Sequence, residues 1–302
     1  MLISVLLCVY KEKIDYLRQS IDSILHQTIK DFELIIVVDN PNNLEAIELI
    51  KVYSKRDNRI KYLINDVNLG LPSSLNKGLS ISSGNYIARM DADDISKPNR
   101  FQESLNFLNN NNLDLVGGSY EKIDEDGKLI DNSNSYGYSE SKTKALLKFS
   151  NVVPHPTWFG KKEVFDSLNG YRLINYTEDY DFLLRAINKG YKIAVTDEIV
   201  LSYRVSIKGI SQGNLFKQFL ITQFLSKNAR RIDTVDPEDI NSIPLKKYNV
   251  KREKKYFEAD NLFLKAKASS GLKRIGYLLK SFIRSRDYRK KYIQMVKKRF
   301  VK

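Results

Sequence analysis

Apolar and polar positions fall into blocks of two kinds along the chain. Residues 2–9 are an almost unbroken apolar run, Phe32–Val38 is a second one rich in β-branched residues, and each has the length of a buried strand. Between them, Tyr16–Gln27 sets Leu17, Ile21, Ile24 and Leu25 at helical spacing. That order predicts a βαβ unit. A second unit follows, with a helix around Leu44–Ser54, a short strand at Ile60–Ile64, a helix through Leu75–Ser80 and a strand at Tyr86–Met90. Alternating strands and helices predict an α/β fold, a mostly parallel sheet covered on both faces, with ligands beyond the carboxyl ends of the strands. Two acid-bearing turns fall at such ends: Asp39-Asn40-Pro41-Asn42 and Asp91-Ala92-Asp93-Asp94.

Further along, a helix from Phe101 stops at the Asn109–Asn112 cluster, and Leu113–Val116 with Gly117-Gly118 predicts another strand. Asp124–Tyr138, rich in Asn, Ser, Asp and Gly, reads as a surface excursion. A helix over Tyr180–Asn188 closes before Gly190, and Ile193–Tyr203 is strand-like. No internal repeat points to a solenoid. These signals divide the chain into a body over 1–212, with parts over 1–100 and 101–212, and a helical extension over 213–302.

Composition narrows this picture. No apolar run approaches the ~20 residues that span a bilayer. Residues 2–10 lack a basic flank and run into Lys11-Glu12-Lys13, so they read as a strand rather than a signal peptide, with the mature chain expected to start at Met1. The single cysteine, Cys8, excludes an internal disulfide and sits inside that strand, which fits a reducing cytoplasm.

The net charge of +14 is unevenly distributed. Residues 245–302 hold 20 Lys/Arg against 4 Asp/Glu, net +16, while residues 1–244 are net −2. Within this tail Leu272, Ile275, Leu278, Leu279, Phe282 and Ile283 share one helical stripe, with Lys273, Arg274, Lys280, Arg284 and Arg286 between them. Such a cationic amphipathic helix can lie on an anionic membrane surface, pack its apolar face on the body, or do both. The first alternative would make the protein peripheral on the inner face of the cell membrane. Nucleic acid is not expected as a partner, because no RNA-binding signature accompanies the charge.

Candidate chemistry begins at Asp91-Ala92-Asp93. Two carboxylates one residue apart on an extended backbone face the same side and suit a hard cation, Mg²⁺ or Mn²⁺, bridging a diphosphate. The plainer alternative is an acidic turn in which Asp94 caps the next helix.

The segments Ser4–Tyr10, Leu17–Gln27, Phe32–Asp39, Asn68-Leu69-Gly70, Asn76-Lys77-Gly78 and Gly84–Asp94 resemble the inverting glycosyltransferases of family 2, which have the GT-A fold and build bacterial surface polysaccharides. The resemblance covers roughly the first two-thirds of the chain. It implies Val9, Tyr10 and Glu12 as a wall for the nucleotide base, and Asp39 as acceptor of a hydrogen from a pyrimidine ring. It implies Asp91 at the ribose or a metal-bound water, and Asp93 on a metal bridging the donor phosphates. Asn68, Asn76, Arg89 and Ala92 lie in the matched motifs and join the donor site. Asn40 departs from the pattern, standing where a second acid is common.

Glu178-Asp179 opens the helix before Tyr180. Inverting transfer needs a base for the attacking hydroxyl, and the resemblance implies Asp179 as that base with Glu178 beside it. Acids in a first helical turn are also favoured by the helix dipole, and Thr177 is placed to cap it. His155 and Trp158 resemble acceptor-side residues: an indole can stack on a sugar ring and an imidazole can hold a hydroxyl. Arg204 falls in a Tyr-Arg-X-His-like element and is expected at phosphate, with Ser206 replacing the histidine that can complete a metal shell. The expected activity is transfer of a sugar from a nucleoside-diphosphate donor, UDP-linked, to a glycan or lipid-linked acceptor. Its rivals are a nucleotidyltransferase and a non-catalytic module whose basic tail binds membrane or nucleic acid.

Overall fold

The structure, a computed structural model, describes residues 2–131, 136–205 and 214–301. The first half is built of β1 (Ile3–Val9), α1 (Ile14–Leu25), β2 (Phe32–Val38), α2 (Leu44–Arg56), β3 (Ile60–Ile64), α3 (Leu71–Ser80) and β4 (Tyr86–Asp91). All four strands run parallel, in the order β3-β2-β1-β4. Helix α3 begins at Leu71, earlier than its apolar spacing suggests, because Pro72 is pre-set for a first helical turn.

Every residue of β2 is buried, as a strand covered on both faces requires. Its alternate side chains feed two cores. Leu34, Ile36 and Val38 join Leu17, Ile21 and Ile24 of α1, whereas Ile35 and Val37 join Leu75 and Leu79 of α3 on the other face.

The chain continues through β5 (Ile95–Ser96), α4 (Arg100–Asn110), β6 (Leu115–Ile123), β7 (Leu129–Asp131), α5 (Glu140–Leu147), a 3-10 turn over His155–Thr157, β8 (Phe159–Lys161), α6 (Lys162–Ser167), α7 (Glu178–Asn188) and β9 (Ile193–Arg204). Strand β8 is antiparallel to both β4 and β6, and β6 runs parallel to β9. One mixed sheet results. A side chain at Gly118 would run into Val200, so the β6–β9 approach requires glycine there. Strand β6 therefore continues through Gly117-Gly118 to Ile123 instead of ending at them. Strand β7 folds back on β6 as a hairpin inside the expected surface excursion, of which residues 132–135 lie outside the described part. Ser206 and the following residues to 213 also lie outside it.

The extension comprises α8 (Leu215–Asn228), α9 (Pro237–Lys247), α10 (Val250–Lys267), α11 (Gly271–Arg284) and α12 (Arg286–Arg299). Ile221 and Leu225 of α8 belong to the same core as α3 and α7, so the extension is seated on the body. Phe216, Phe219, Tyr256, Ala259 and Tyr288 form a further cluster that ties α10 and α12 to α8. Helix α11 packs on α10 through a different face from its apolar stripe: the buried Ser281 donates to Ala259 O at 2.7 Å. Leu272 and Ile283 are 87% and 74% exposed, Ile275, Leu279 and Phe282 are exposed, and only Leu278 of the stripe is half-buried. The alternative in which this stripe packs on the body is therefore not realised. No described helix is long and apolar enough to cross a membrane.

Candidate active site

The parallel register brings the carboxyl ends of β1, β2 and β4 to one edge: Val9 lies opposite Val38, and Cys8 opposite Asp91. Tyr10 and Asp39 consequently leave the sheet together, with Asp39 N donating to Val9 O at 2.7 Å. The Asp39 carboxylate accepts from Asn65 Nδ2, Leu69 N and Gly70 N at 2.8–2.9 Å, so this acid shapes the loop leading into α3. Glu12 Oε2 accepts from Tyr10 N at 2.7 Å, and burial, with Asp91 adding to it, pushes the Glu12 carboxyl above its ordinary range.

At the end of β4, carboxylate oxygens of Asp91, Asp93 and Asp94 lie within 4.8 Å of one another. Burial and the charges of Asp91 and Glu12 push Asp93 up to about 7. Asp94 is fully buried, burial pushes its carboxyl in the same direction, and its Oδ2 has no partner among the described residues. Its Oδ1 accepts from Arg204 N at 2.8 Å, so Asp94 braces the end of β9 and does not cap α4, contrary to that plainer alternative. Three carboxyl groups crowded in a partly buried turn, one with an orphaned oxygen, fit a hard divalent cation, which would favour their ionised forms.

Arg89 reaches this turn from the strand: its Nη2 is 2.5 Å from Asp91 Oδ1. The side chain is buried, and Nε and Nη1 have no partner among the described residues. Its charge also acts on Glu178 and Asp179, favouring their ionised forms. Burial dominates both acids, and with Asp179 alongside it pushes Glu178 up to about 8; Asp179 is raised too. Asp179 is held at two points, Oδ1 by Tyr180 N at 2.7 Å and Oδ2 by Asn151 Nδ2 at 2.6 Å. Thr177 occupies the cap position of α7 without making a cap hydrogen bond, and its Oγ1 is buried without a partner among the described residues. The third acid of this helix, Asp181, is structural: it is fully buried and pairs with Arg172 and Arg185.

Residues 4–168 match the model of glycosyl transferase family 2, more than half of the chain. The chain belongs to that family. An uncharacterized glycosyltransferase of Methanocaldococcus jannaschii is 36% identical over 227 residues, covering 75% of this chain and 78% of that one. The O-antigen biosynthesis glycosyltransferase WbnJ of Escherichia coli is 33% identical over 240 residues, 74% of this chain and 93% of WbnJ. Among solved structures, S. aureus TarS 1–349 in complex with UDP-GlcNAc superposes with a TM-score of 0.59 at 14% identity, over 99% of this chain and 92% of that one. A longer TarS chain superposes equally well, and this chain spans 54% of it.

The protein is thus a family 2 glycosyltransferase with a GT-A-like fold, and several residues matched to donor or acceptor duty are spent elsewhere. Val9 and Ala92 bury their side chains in the core, leaving only backbone for a ligand. Asn76 donates to Tyr171 O and accepts from Tyr171 N, at 2.7 and 2.8 Å, and so clamps the Gly170-Tyr171 turn. Gly170 has φ +68°, and a side chain there would strike Asn76 Oδ1. Asn68 Oδ1 accepts from Gly70 N in the exposed loop ahead of α3.

Arg204 gives its guanidinium to the carbonyls of Asp93, Asp124 and Glu125 and to Gln19 Oε1, 4.2 Å above the Tyr16 ring. It steadies the acidic turn from beneath rather than presenting a free fork to phosphate. Trp158 is wholly inaccessible, its Nε1 donating to Val153 O at 3.1 Å, and it packs against His155, Tyr171 and Phe182. No face is open for sugar stacking. His155 is buried, its Nε2 engages Tyr171 Oη at 2.9 Å, and burial holds its pKa well below the ordinary value, so it is a neutral part of the wall. Both side chains expected at the acceptor are buried in this packing. Asn151, by contrast, had no motif to mark it, because it meets Asp179 only across the fold.

Proposed function

We propose that this glycosyltransferase moves a sugar from a UDP-linked donor to a hydroxyl of a glycan or lipid-linked acceptor, with inversion at the anomeric carbon, in cell-surface polysaccharide synthesis. The observation that carries this reading is the placement of Arg89, whose buried, partly unpaired guanidinium touches Asp91 and acts electrostatically on Glu178 and Asp179. One charge thus links the acidic turn that faces a diphosphate with the acids that face an acceptor. WbnJ of O-antigen biosynthesis and AmsE of amylovoran biosynthesis support the polysaccharide context, and the UDP and UDP-GlcNAc complexes of TarS support the donor.

Asp93 and Asp91 would hold Mn²⁺ or Mg²⁺, with the unpartnered Asp94 Oδ2 behind them. When bound, the cation neutralises charge that develops on the departing diphosphate. Tyr10, Glu12 and Asp39 line the end of the nucleotide cleft, and the Arg89 charge, buried beside Asp91, offsets the negative charge gathered there. Asp179, fixed by Asn151 and Tyr180 N, takes the proton of the acceptor hydroxyl. The acceptor oxygen then bonds to the anomeric carbon from the face opposite the phosphate, and the carbon–oxygen bond to the nucleoside diphosphate breaks. Glu178 stands beside this path as a second acid that burial keeps largely protonated at neutral pH.

Calorimetry with UDP, with and without Mn²⁺, combined with a donor-hydrolysis assay, tests the reading. Asp93→Ala is expected to abolish transfer and metal-dependent UDP binding. Asp179→Asn is expected to retain UDP binding while turnover falls ~10²–10⁴-fold, the range for loss of a general base. Retained metal-dependent activity in Asp93→Ala would overturn the metal assignment, and collapse of donor affinity in Asp179→Asn would overturn the base.

A further inference from the structure

Helices α11 and α12 meet at Ser285 beside a cavity of about 580 Å³. Six cations line it: Arg252, Lys255, Arg284, Arg286, Arg289 and Lys290. Among the described residues the only acid in its wall is Asp287, which is buried and takes a two-pronged hydrogen bond from Arg252 at 2.9–3.0 Å, with Lys290 3.9 Å away. Arg284 is paired with Glu258. Lys255, Arg286 and Arg289 form no ion pair among the described residues, and Arg289 lies 5.8 Å from the centre of the Phe282 ring. The concavity therefore carries uncompensated positive charge and is built to attract an anion.

The apolar stripe of α11 runs into this cavity. Ile283 belongs to both, lining the cavity while remaining 74% exposed, and Leu279, Ile275 and Leu272 continue from it at helical spacing, all exposed. A folded protein gains nothing by presenting so much apolar surface to water, and a stripe flanked by cations has the chemistry of a bilayer interface. We infer that this corner docks on a membrane surface of anionic phospholipid, a phosphate headgroup entering the basic cavity while Leu272, Ile275, Leu279 and Ile283 sit in the acyl boundary.

Charge decides among the occupants. A second copy of the chain would bring another net +16 tail against this one. Nucleic acid offers phosphates but nothing to cover the stripe, and a free phosphate ion would leave the stripe in water. An anionic lipid surface satisfies both halves of the site. A transferase held there would meet a lipid-linked acceptor at the interface, which extends the proposed function without depending on its donor or its base.

The test uses the full chain with sedimented vesicles of phosphatidylcholine alone or mixed with phosphatidylglycerol. Two variants change exposed side chains outside the catalytic site, Ile275→Ser/Ile283→Ser and Lys255→Gln/Arg286→Gln, and UDP binding is measured on the same samples. The expected result is partition to the anionic vesicles only, weakened by added salt and reduced about tenfold or more by either variant, with UDP binding unchanged.

Equal partition to neutral vesicles, or anionic binding indifferent to both variants, would overturn the inference. So would inorganic phosphate binding as tightly as the vesicles do, or a dimer that Ile275→Ser/Ile283→Ser dissociates. Failure of UDP binding in the unaltered protein would instead count against the proposed function and leave the vesicle result standing.

Discussion

Asn151 donates its side-chain amide to Asp179 Oδ2 at 2.6 Å while its own Oδ1 accepts from Val153 N at 2.8 Å. The residue before it, Ser150, accepts a hydrogen bond from Lys298 of α12, so the turn that positions the acid is braced from the extension. A neutral amide donor stabilises the ionised carboxylate and opposes the burial that raises it. Asn151→Ala is therefore expected to raise the Asp179 pKa further. Turnover at neutral pH should fall and the acidic limb of its pH profile should move to higher pH, with the KM for donor little changed. A profile that keeps its position while activity falls would show that Asn151 acts only on stability.

Glu178 carries the second prediction, on stability against pH without donor. Its pKa is about 8 in the folded protein against 4.5 as an ordinary carboxylate, from burial first and Asp179 second. Between those values the folded state holds a proton that the unfolded state has lost. Stability from this group is therefore fully present below pH ~4.5, declines as pH rises and is lost above pH ~8. Glu178→Gln should remove that decline, so denaturant midpoints for variant and parent should diverge in favour of the variant as pH increases. Parallel curves across this window would show that Glu178 ionises in the folded protein as it does in solution.

Trp158 separates packing from recognition. Trp158→Phe keeps a large ring among His155, Tyr171 and Phe182 but takes the indole donor from the Val153 carbonyl, a loss of about 1–3 kcal/mol if that oxygen goes unsatisfied. A lower denaturation midpoint with unchanged acceptor KM is expected. A raised acceptor KM at full stability would restore the indole to the acceptor site.

The sequence by itself determined the parallel half of the sheet and the edge at which its acids gather. A strand buried on both faces must be apolar throughout, a covering helix must repeat its apolar residues near every third or fourth position, and the acids of a parallel sheet gather beyond its carboxyl ends. Phe32–Val38, Leu17–Leu25 and Asp91-Ala92-Asp93 could therefore be read in order. The same local rules are silent on which partner a polar side chain finds. Asn76 and Arg204 sit in motifs that point to donor contact, yet their hydrogen bonds go to Tyr171 and to the Asp93, Asp124 and Glu125 carbonyls, partners as far as 111 residues away. His155 and Trp158 look like recognition residues until Tyr171 and, from α7, Phe182 pack against them. Only the tertiary structure placed Asn151 on Asp179 and left the α11 stripe in the open, because hydrogen-bond partners and the side on which a helix packs are set by contacts between segments remote in sequence.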